Sequence, residues 1–185
     1  MAKEVTIEIT QYCNYNCDYC SSNATINGKY LPKKRILKFL NKVKKGEEIF
    51  RINISGGEPI SHPDFYEILM YCYNITANVW IYTNVIRQII YNSDIVKELK
   101  VEANVCLAPG HFIYIPKNVN KVHLLKLVRQ GRAINYREVN MSVSSNLLKE
   151  HNNCDNCNHI LLQADGQIVE SPCKKKYKNG INTSS

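Results

Sequence analysis

The chain has 185 residues, of which 24 are Lys or Arg and 16 are Asp or Glu, giving a formal net charge of +8. Its length suffices for one hydrophobic core with a small additional module, and its hydrophobic content of 44% is typical of a globular protein. The sequence contains no apolar run near the roughly 20 residues that cross a bilayer. A strand pattern, not a signal peptide, begins at the N-terminus, so we expect a cytoplasmic protein that has no membrane partner.

Eight cysteines in a chain without an export signal indicate metal ligands in a reducing compartment, because disulfides are typical of secreted proteins. The positive charge permits an anionic partner.

Hydrophobic periodicity and turn residues predict strands that alternate with helices. In chain order these are a strand at residues 5–9, a helix at 34–45, a strand at 50–54, a helix opened by Pro63 and Asp64, a strand at 78–82, a helical stretch at 86–99 and strands at 102–107 and 122–128. This alternation is typical of parallel β/α units, so the predicted fold class is α/β. The segment 111–120 is too short, and too interrupted by proline, for a normal crossover helix.

Three cysteines, Cys13, Cys17 and Cys20, follow the first predicted strand within eight residues. Three thiolates on one short loop can hold three irons of a [4Fe–4S] cluster and leave the fourth iron without a protein ligand. A cofactor or substrate can bind that open iron. A zinc site or a disulfide is the alternative for cysteines at close spacing.

A glycine-rich motif follows the second predicted strand, and it reads Ser55-Gly56-Gly57-Glu58-Pro59. Glycines at a strand end allow the backbone to approach a ligand closely, because no Cβ intervenes. Together with the cysteine spacing, this motif resembles the radical S-adenosylmethionine (radical SAM) superfamily. The resemblance implies that Cys13, Cys17 and Cys20 are the catalytic cluster ligands, that the open iron binds the amino and carboxylate groups of S-adenosylmethionine, and that residues 55–59 line its methionine moiety.

The resemblance also implies further cofactor-binding residues. Tyr19 would lie against the adenine. Thr83 and Asn84 resemble the family's Thr-Asn-Gly strand end, with Val85 in place of the glycine. Arg132 lies in a stretch similar to the Gly-Arg-Gly of related members, with Ala133 in place of the last glycine, and is a candidate contact to the cofactor's carboxylate.

The fold that the resemblance implies is a partial (β/α)6 barrel, here reduced to five or six β/α units at residues 1–135, with a more open lateral mouth. In parallel β/α folds, ligand residues lie at the carboxyl ends of the strands. The cysteine loop, residues 55–59 and residues 83–84 all follow predicted strands, as this rule requires.

A second group of cysteines, Cys154, Cys157 and Cys173, surrounds the hairpin turn Asp165-Gly166. The hairpin would return Cys173 to the first two cysteines. The segment resembles the twitch element, a shortened SPASM domain that holds an auxiliary [4Fe–4S] cluster, and is similar to that part of the GTP cyclase of molybdenum-cofactor synthesis. We therefore predict a small β-hairpin iron–sulfur module at 136–178 and a flexible tail at 179–185. A structural zinc site with His159 or Cys106 as fourth ligand is the alternative.

The predicted function is reductive cleavage of S-adenosylmethionine to a 5′-deoxyadenosyl radical, which abstracts hydrogen from a peptide or an RNA. The resemblance implies an electron donor such as flavodoxin or ferredoxin. Radical cyclisation or rearrangement of a small nucleotide is an alternative. A non-catalytic iron–sulfur carrier is a second alternative, but it would leave the glycine-rich motif at residues 55–59 without a function. Two further cysteines, Cys72 and Cys106, are predicted to be buried thiols.

Overall fold

The structure, a computed structural model, describes residues 2–84, 102–107, 121–126, 132–133, 148–149 and 158–170. In chain order its elements are β1 (Lys3–Glu8), α1 (Lys33–Gly46), β2 (Ile49–Ser55), a 3₁₀ helix (Pro59–Ser61), α2 (Phe65–Tyr73), β3 (Val79–Ile81), β4 (Glu102–Leu107), β5 (Lys121–Lys126), β6 (Leu148–Lys149), β7 (His159–Leu162) and β8 (Ile168–Val169). The α/β prediction is confirmed. The predicted helical stretch at 86–99 lies outside the described residues, and the short strand β6 was not predicted.

The chain divides into two compact units, one formed by Met1–Asn16, Ser22–Thr83 and Asn153–Ser185, the other by Cys17–Ser21 and Asn84–Asn152. The first unit contains a five-stranded sheet in the order β3-β2-β1-β7-β8. Its strands are parallel except for the β7–β8 hairpin, which is antiparallel. The second unit contains a parallel sheet in the order β4-β5-β6.

The C-terminal hairpin belongs to the same sheet as the N-terminal strand. β7 pairs in parallel with β1, so that Val5 lies opposite Ile160 and Ile7 opposite Leu162. The predicted turn is confirmed at Gly166, whose φ of 85° favours glycine, and its amide donates to the Gln163 carbonyl oxygen at 2.8 Å. The hairpin was predicted as part of a separate module at 136–178. The β7–β8 hairpin completes the sheet of the first unit, where β7 covers the second edge of β1 and buries Leu161 and Leu162, whereas β6, also within 136–178, lies in the other sheet.

One face of this sheet is apolar and packs against α1 and α2. The core consists of alternate strand residues and of helix residues spaced three or four apart: Val5, Ile7, Ile52, Ile54 and Leu162 from the sheet, Ile36, Phe39 and Leu40 from α1, and Phe65, Ile68 and Cys72 from α2. Each fully buried side chain of this size contributes roughly 1.5–3 kcal/mol of transfer free energy. The prediction for Cys72 is confirmed, since it is fully buried and burial raises the pKa of its thiol to about 12.

The opposite face of the sheet is polar. The Asn53 side-chain amide donates to Glu4 Oε1 at 2.6 Å and to Thr6 Oγ1 at 3.1 Å, and Thr6 Oγ1 also lies 2.7 Å from His159 Nε2. The Arg51 guanidinium lies 3.7 Å from Glu4 Oε1. Parallel sheets are usually apolar on both faces, so a polar face is unusual for this type of sheet.

The described residues contain no helix that is both long enough and apolar enough to cross a membrane. This finding agrees with the sequence, which has no long apolar run.

The segment after the cysteine loop folds back against the end of β1, and this contact requires a glycine. The amide of Gln11 donates to the Lys29 carbonyl oxygen at 2.9 Å, and the Gln11 carbonyl oxygen accepts from the Thr25 amide at 3.0 Å. A Cβ added to Gly28 would lie 2.0 Å from the Gln11 carbonyl oxygen and 2.4 Å from the Tyr12 nitrogen. These are backbone atoms, which cannot move aside as a side chain can.

We therefore expect Gly28→Ala to lower the free energy of unfolding by about 2 kcal/mol or more, since overpacking without room to relax typically costs about 1–3 kcal/mol. Gly46→Ala is the matched control: its Cβ would meet nothing within 4 Å, and it lies at the end of α1. Alanine there should be neutral or slightly stabilising. Urea denaturation of both variants measures the difference, and equal stability of the two would contradict the close approach at Gly28.

Candidate functional site

The cysteine loop begins where β1 ends. Beyond Glu8, the Ile9 amide donates to the Ser55 carbonyl oxygen at 3.0 Å and so continues the pairing of β1 with β2. Thr10 is fully buried, and its hydroxyl accepts a hydrogen bond from the Tyr12 amide at 2.8 Å. The chain thus enters the loop from a fixed position at the carboxyl end of a buried strand.

The three cysteines of the loop are free thiols. Cys13 is buried, whereas Cys17 and Cys20 are half-buried. The amide of Cys13 donates to the Thr25 carbonyl oxygen at 2.9 Å, and the amide of Cys20 donates to the Cys17 carbonyl oxygen at 3.3 Å. Asn16, with φ of 44°, adopts the left-handed conformation directly before Cys17, as asparagine does more readily than most residues.

This set of donors fits an iron–sulfur cluster. Within residues 2–84 and the shorter described segments, no three Cys, His, Asp or Glu side chains lie close enough to bind a single metal ion. Each thiolate of a cluster binds its own iron, so a cluster site does not require three sulfurs to converge on one point. The cluster assignment for Cys13, Cys17 and Cys20 therefore stays a prediction, with zinc as its alternative.

The glycine-rich motif is hydrogen-bonded to the entry of the cysteine loop. The Gly57 amide donates to the Thr10 carbonyl oxygen at 2.7 Å, and the Glu58 amide donates to the Tyr12 carbonyl oxygen at 2.8 Å. Gly56 has φ of 134°, and a Cβ at Gly57 would lie 2.1 Å from the Tyr12 carbonyl oxygen. The glycines were expected to admit a ligand. On the side where a Cβ would project, these glycines instead contact the chain's own backbone at Thr10 and Tyr12.

Glu58 connects this motif to the end of β3. Its side chain is almost fully buried, and its Oε1 accepts hydrogen bonds from Thr83 Oγ1 at 2.7 Å and from the Ile60 amide at 3.1 Å. Pro59 is buried and begins the 3₁₀ helix. Glu58 and Thr83, two predicted cofactor-binding residues from different strand ends, are thus in direct contact. Asn84 is exposed.

Arg132, in the second unit, forms hydrogen bonds with the cysteine loop. Its Nε donates to the Cys17 carbonyl oxygen at 2.8 Å, and its amide donates to the Cys20 carbonyl oxygen at 3.1 Å. The neighbouring Ala133 is fully buried, and Tyr19 of the loop is half-buried. The sequence predicted that Arg132 contacts the cofactor's carboxylate. The structure describes a contact to two residues of the predicted cluster loop.

The second predicted metal site lies outside the described residues, because these do not include Cys154, Cys157 or Cys173. Of the two alternative zinc ligands, Cys106 lies on β4 and His159 on β7. Burial lowers the pKa of His159, which favours the neutral imidazole, and its Nε2 lies 2.7 Å from Thr6 Oγ1.

Sequence reasoning missed a buried carboxylate at the end of β1. Glu8 is 2% exposed, and its two oxygens accept from Ser22 Oγ and from the Ala164 amide, both at 3.4 Å. It thereby connects β1 both to the segment after the cysteine loop and to the C-terminal hairpin. A charged residue between Ile7 and Ile9 in a strand was the available signal.

Three relatives match parts of this chain. An S-adenosylmethionine-dependent nucleotide dehydratase of Selenomonas ruminantium is 34% identical over 84 residues, which cover 45% of this chain and 30% of the relative. A GTP 3′,8-cyclase of Staphylococcus epidermidis is 30% identical over 74 residues, covering 36% of this chain and 22% of the cyclase. The mycofactocin maturase MftC of Mycobacterium tuberculosis is 31% identical over 84 residues, 45% of this chain and 21% of the maturase. The chain thus matches less than a third of each relative's length.

A solved structure has a similar fold. The crystal structure of BtrN in complex with AdoMet and 2-DOIA superposes with a TM-score of 0.51 at 15% identity, covering 92% of this chain and 73% of that one. This likeness supports the predicted partial barrel. The sequence model of the Radical SAM superfamily matches residues 7–104, more than half of the chain and a range that includes both the cysteine loop and the glycine-rich motif. The chain therefore belongs to the radical SAM superfamily of enzymes, which use a [4Fe–4S] cluster and S-adenosylmethionine.

Proposed function

We propose that Cys13, Cys17 and Cys20 hold a [4Fe–4S] cluster and that S-adenosylmethionine binds beside it, to act on a peptide or an RNA. The chemistry that these groups supply when bound is a one-electron cleavage to methionine and a 5′-deoxyadenosyl radical, which takes a hydrogen atom from the substrate. A protein such as flavodoxin or ferredoxin would deliver the electron. The observation that carries the proposal is the backbone pairing of Gly57 and Glu58 with the entry of the cysteine loop.

The remaining predicted residues have positioning roles in this proposal. Residues 55–59 would line the methionine moiety, and the buried Glu58–Thr83 contact would hold that strand end in place. Tyr19 would pack against the adenine, and Asn84 would contribute a polar contact. Arg132 would keep the loop in one conformation through its hydrogen bonds to the Cys17 and Cys20 carbonyl oxygens, and it remains a candidate contact to the cofactor's carboxylate.

We expect wild-type protein, reconstituted with iron and sulfide without oxygen and reduced with dithionite, to release 5′-deoxyadenosine from S-adenosylmethionine. Cys17→Ala should release none, because the cluster loses a ligand. Cys72→Ala is the matched control, since its thiol is buried in α2 and is too weakly acidic to bind iron. Chromatographic quantification of the nucleoside measures the effect. Release by Cys17→Ala, or loss in both variants with folding intact, would contradict the assignment.

The C-terminal cysteines support a second proposal. Cys154, Cys157 and Cys173 would hold an auxiliary [4Fe–4S] cluster in a twitch-like module, with zinc as the less favoured occupant. The resemblance of the sequence around Asp165-Gly166 supports this assignment, as does the hairpin turn at Gly166, which reverses the chain between the two cysteine groups.

Reconstituted wild-type protein should contain about eight irons per chain if both sites are clusters. The Cys154→Ala/Cys157→Ala variant should contain about four and keep its cleavage of S-adenosylmethionine. Metal analysis by mass spectrometry measures iron and zinc together. About four irons and one zinc in the wild type would contradict the auxiliary cluster.

A small nucleotide is the second candidate substrate, and a specific observation favours it. Two of the relatives that match are named as a nucleotide dehydratase and a GTP cyclase. The matching segments cover under half of this chain. The maturase, whose name mentions no nucleotide, matches over a similar length, so the nucleotide remains the second candidate.

Incubation of the reduced enzyme with each nucleoside triphosphate discriminates the two candidates. If the substrate is a macromolecule, we expect 5′-deoxyadenosine to form at the same slow rate with and without nucleotide, and every nucleotide to be recovered unchanged. Mass spectrometry of the nucleotide pool measures this. Conversion of one nucleotide, in an amount that matches the 5′-deoxyadenosine formed, would contradict a macromolecular substrate and identify a nucleotide as the substrate.

A further inference from the structure

Helix α1 carries an unusual concentration of positive charge. Seven of its 14 residues are Lys or Arg, and none is Asp or Glu. Lys33 forms ion pairs with Asp64, at 3.2 Å, and with Glu67. The other six cations are exposed, and within the described residues none of them forms an ion pair. Most of this charge is therefore not needed to hold the fold together.

Three of these lysines form a regular row. Lys34, Lys38 and Lys42 are spaced four residues apart, so they follow one stripe of the helix with about 6 Å of rise between neighbours. Together with Arg35 they line a groove of about 550 Å³ between α1 and the β7–β8 hairpin. All of these elements belong to the first compact unit.

The groove has a fixed wall and an apolar floor. Arg35 Nη2 donates to the Gly166 carbonyl oxygen at 2.8 Å, and this bond connects the helix to the hairpin turn. Leu162 forms part of the floor and is buried, whereas Ile168 is 51% exposed. Phe39 also lines the groove but is 5% exposed, so its ring offers no open face on which a base could stack. Recognition here therefore depends on charge.

We propose that this groove, defined by Lys34, Arg35, Lys38 and Lys42, binds the phosphodiester backbone of a single-stranded RNA. Consecutive phosphates along a strand recur at a distance similar to that between the lysines, so one strand can follow the row and place a phosphate near each cation. Lysines on one helix face are the usual electrostatic footprint of nucleic-acid binding. Protein–protein interfaces, in contrast, are depleted in lysine and enriched in exposed aromatic residues, which this groove lacks.

This inference rests on the proposed macromolecular substrate and selects RNA over a peptide. Contacts to phosphates position a strand without reading its sequence, so the groove would orient the RNA and leave selection of the reacting nucleotide to other residues. It would bind RNA whether or not the cluster is reduced.

The test is the salt dependence of binding, measured by fluorescence anisotropy of a labelled oligouridylate with reconstituted protein. Each phosphate contact contributes about 0.7 to the slope of log affinity against log salt concentration for a single strand. We expect Lys38→Gln/Lys42→Gln to reduce that slope by about 1.4 and to weaken binding several-fold at low salt. The matched control, Lys44→Gln/Lys45→Gln, removes the same charge from the last turn of the same helix, beyond the groove, and should change the slope little.

An equal loss in the two double variants would overturn the inference, because it would show a general effect of net charge. Displacement of the RNA by polyglutamate at the same charge concentration would also overturn it, in favour of an acidic polypeptide. Release of 5′-deoxyadenosine with dithionite is measured in parallel and should be unchanged in both variants. Intact release without RNA binding would reject the groove alone, whereas absence of release in the wild type would reject the proposed function itself.

Discussion

The site depends above all on two backbone hydrogen bonds, from Gly57 to Thr10 and from Glu58 to Tyr12. They extend the pairing of β1 with β2 past the ends of both strands, into the cysteine loop and the glycine-rich motif. Side chains cannot intervene, since a Cβ at Gly57 would overlap the Tyr12 carbonyl group. Each bond adds only about 1 kcal/mol to stability. Their larger effect is to fix the position of the glycine-rich segment relative to the start of the cysteine loop.

Strand β7 contributes a second constraint, because it brings the C-terminal part of the chain beside its first strand. β1 thus has parallel neighbours on both sides and lies at the centre of its sheet. Glu8 reinforces this arrangement, since its carboxylate accepts hydrogen bonds from Ser22 and Ala164, which are far apart in sequence. A change in the hairpin can therefore affect the cysteine loop through β1, even though the two are distant along the chain.

Charge is distributed unevenly over the first unit. On the polar face of the sheet, Arg51 lies near Glu4, and His159, whose pKa burial lowers, lies near Thr6. On α1, in contrast, the exposed lysines form no ion pairs within the described residues. Exposed lysines contribute little to folding. Their concentration on one helix therefore points to an anionic partner.

The sequence by itself determined the family, the α/β class and five strand positions, because cysteine spacing, glycine motifs and hydrophobic alternation are local patterns that need no tertiary information. It also identified Cys72 as a core thiol from its place on the apolar face of α2. The pairing of β7 with β1 was decided only by the tertiary structure, since strand partners distant in sequence leave no local pattern. The same is true of the Glu58–Thr83 contact, the Arg132 bonds to the loop and the Gly28 approach to Gln11, each of which joins residues through space.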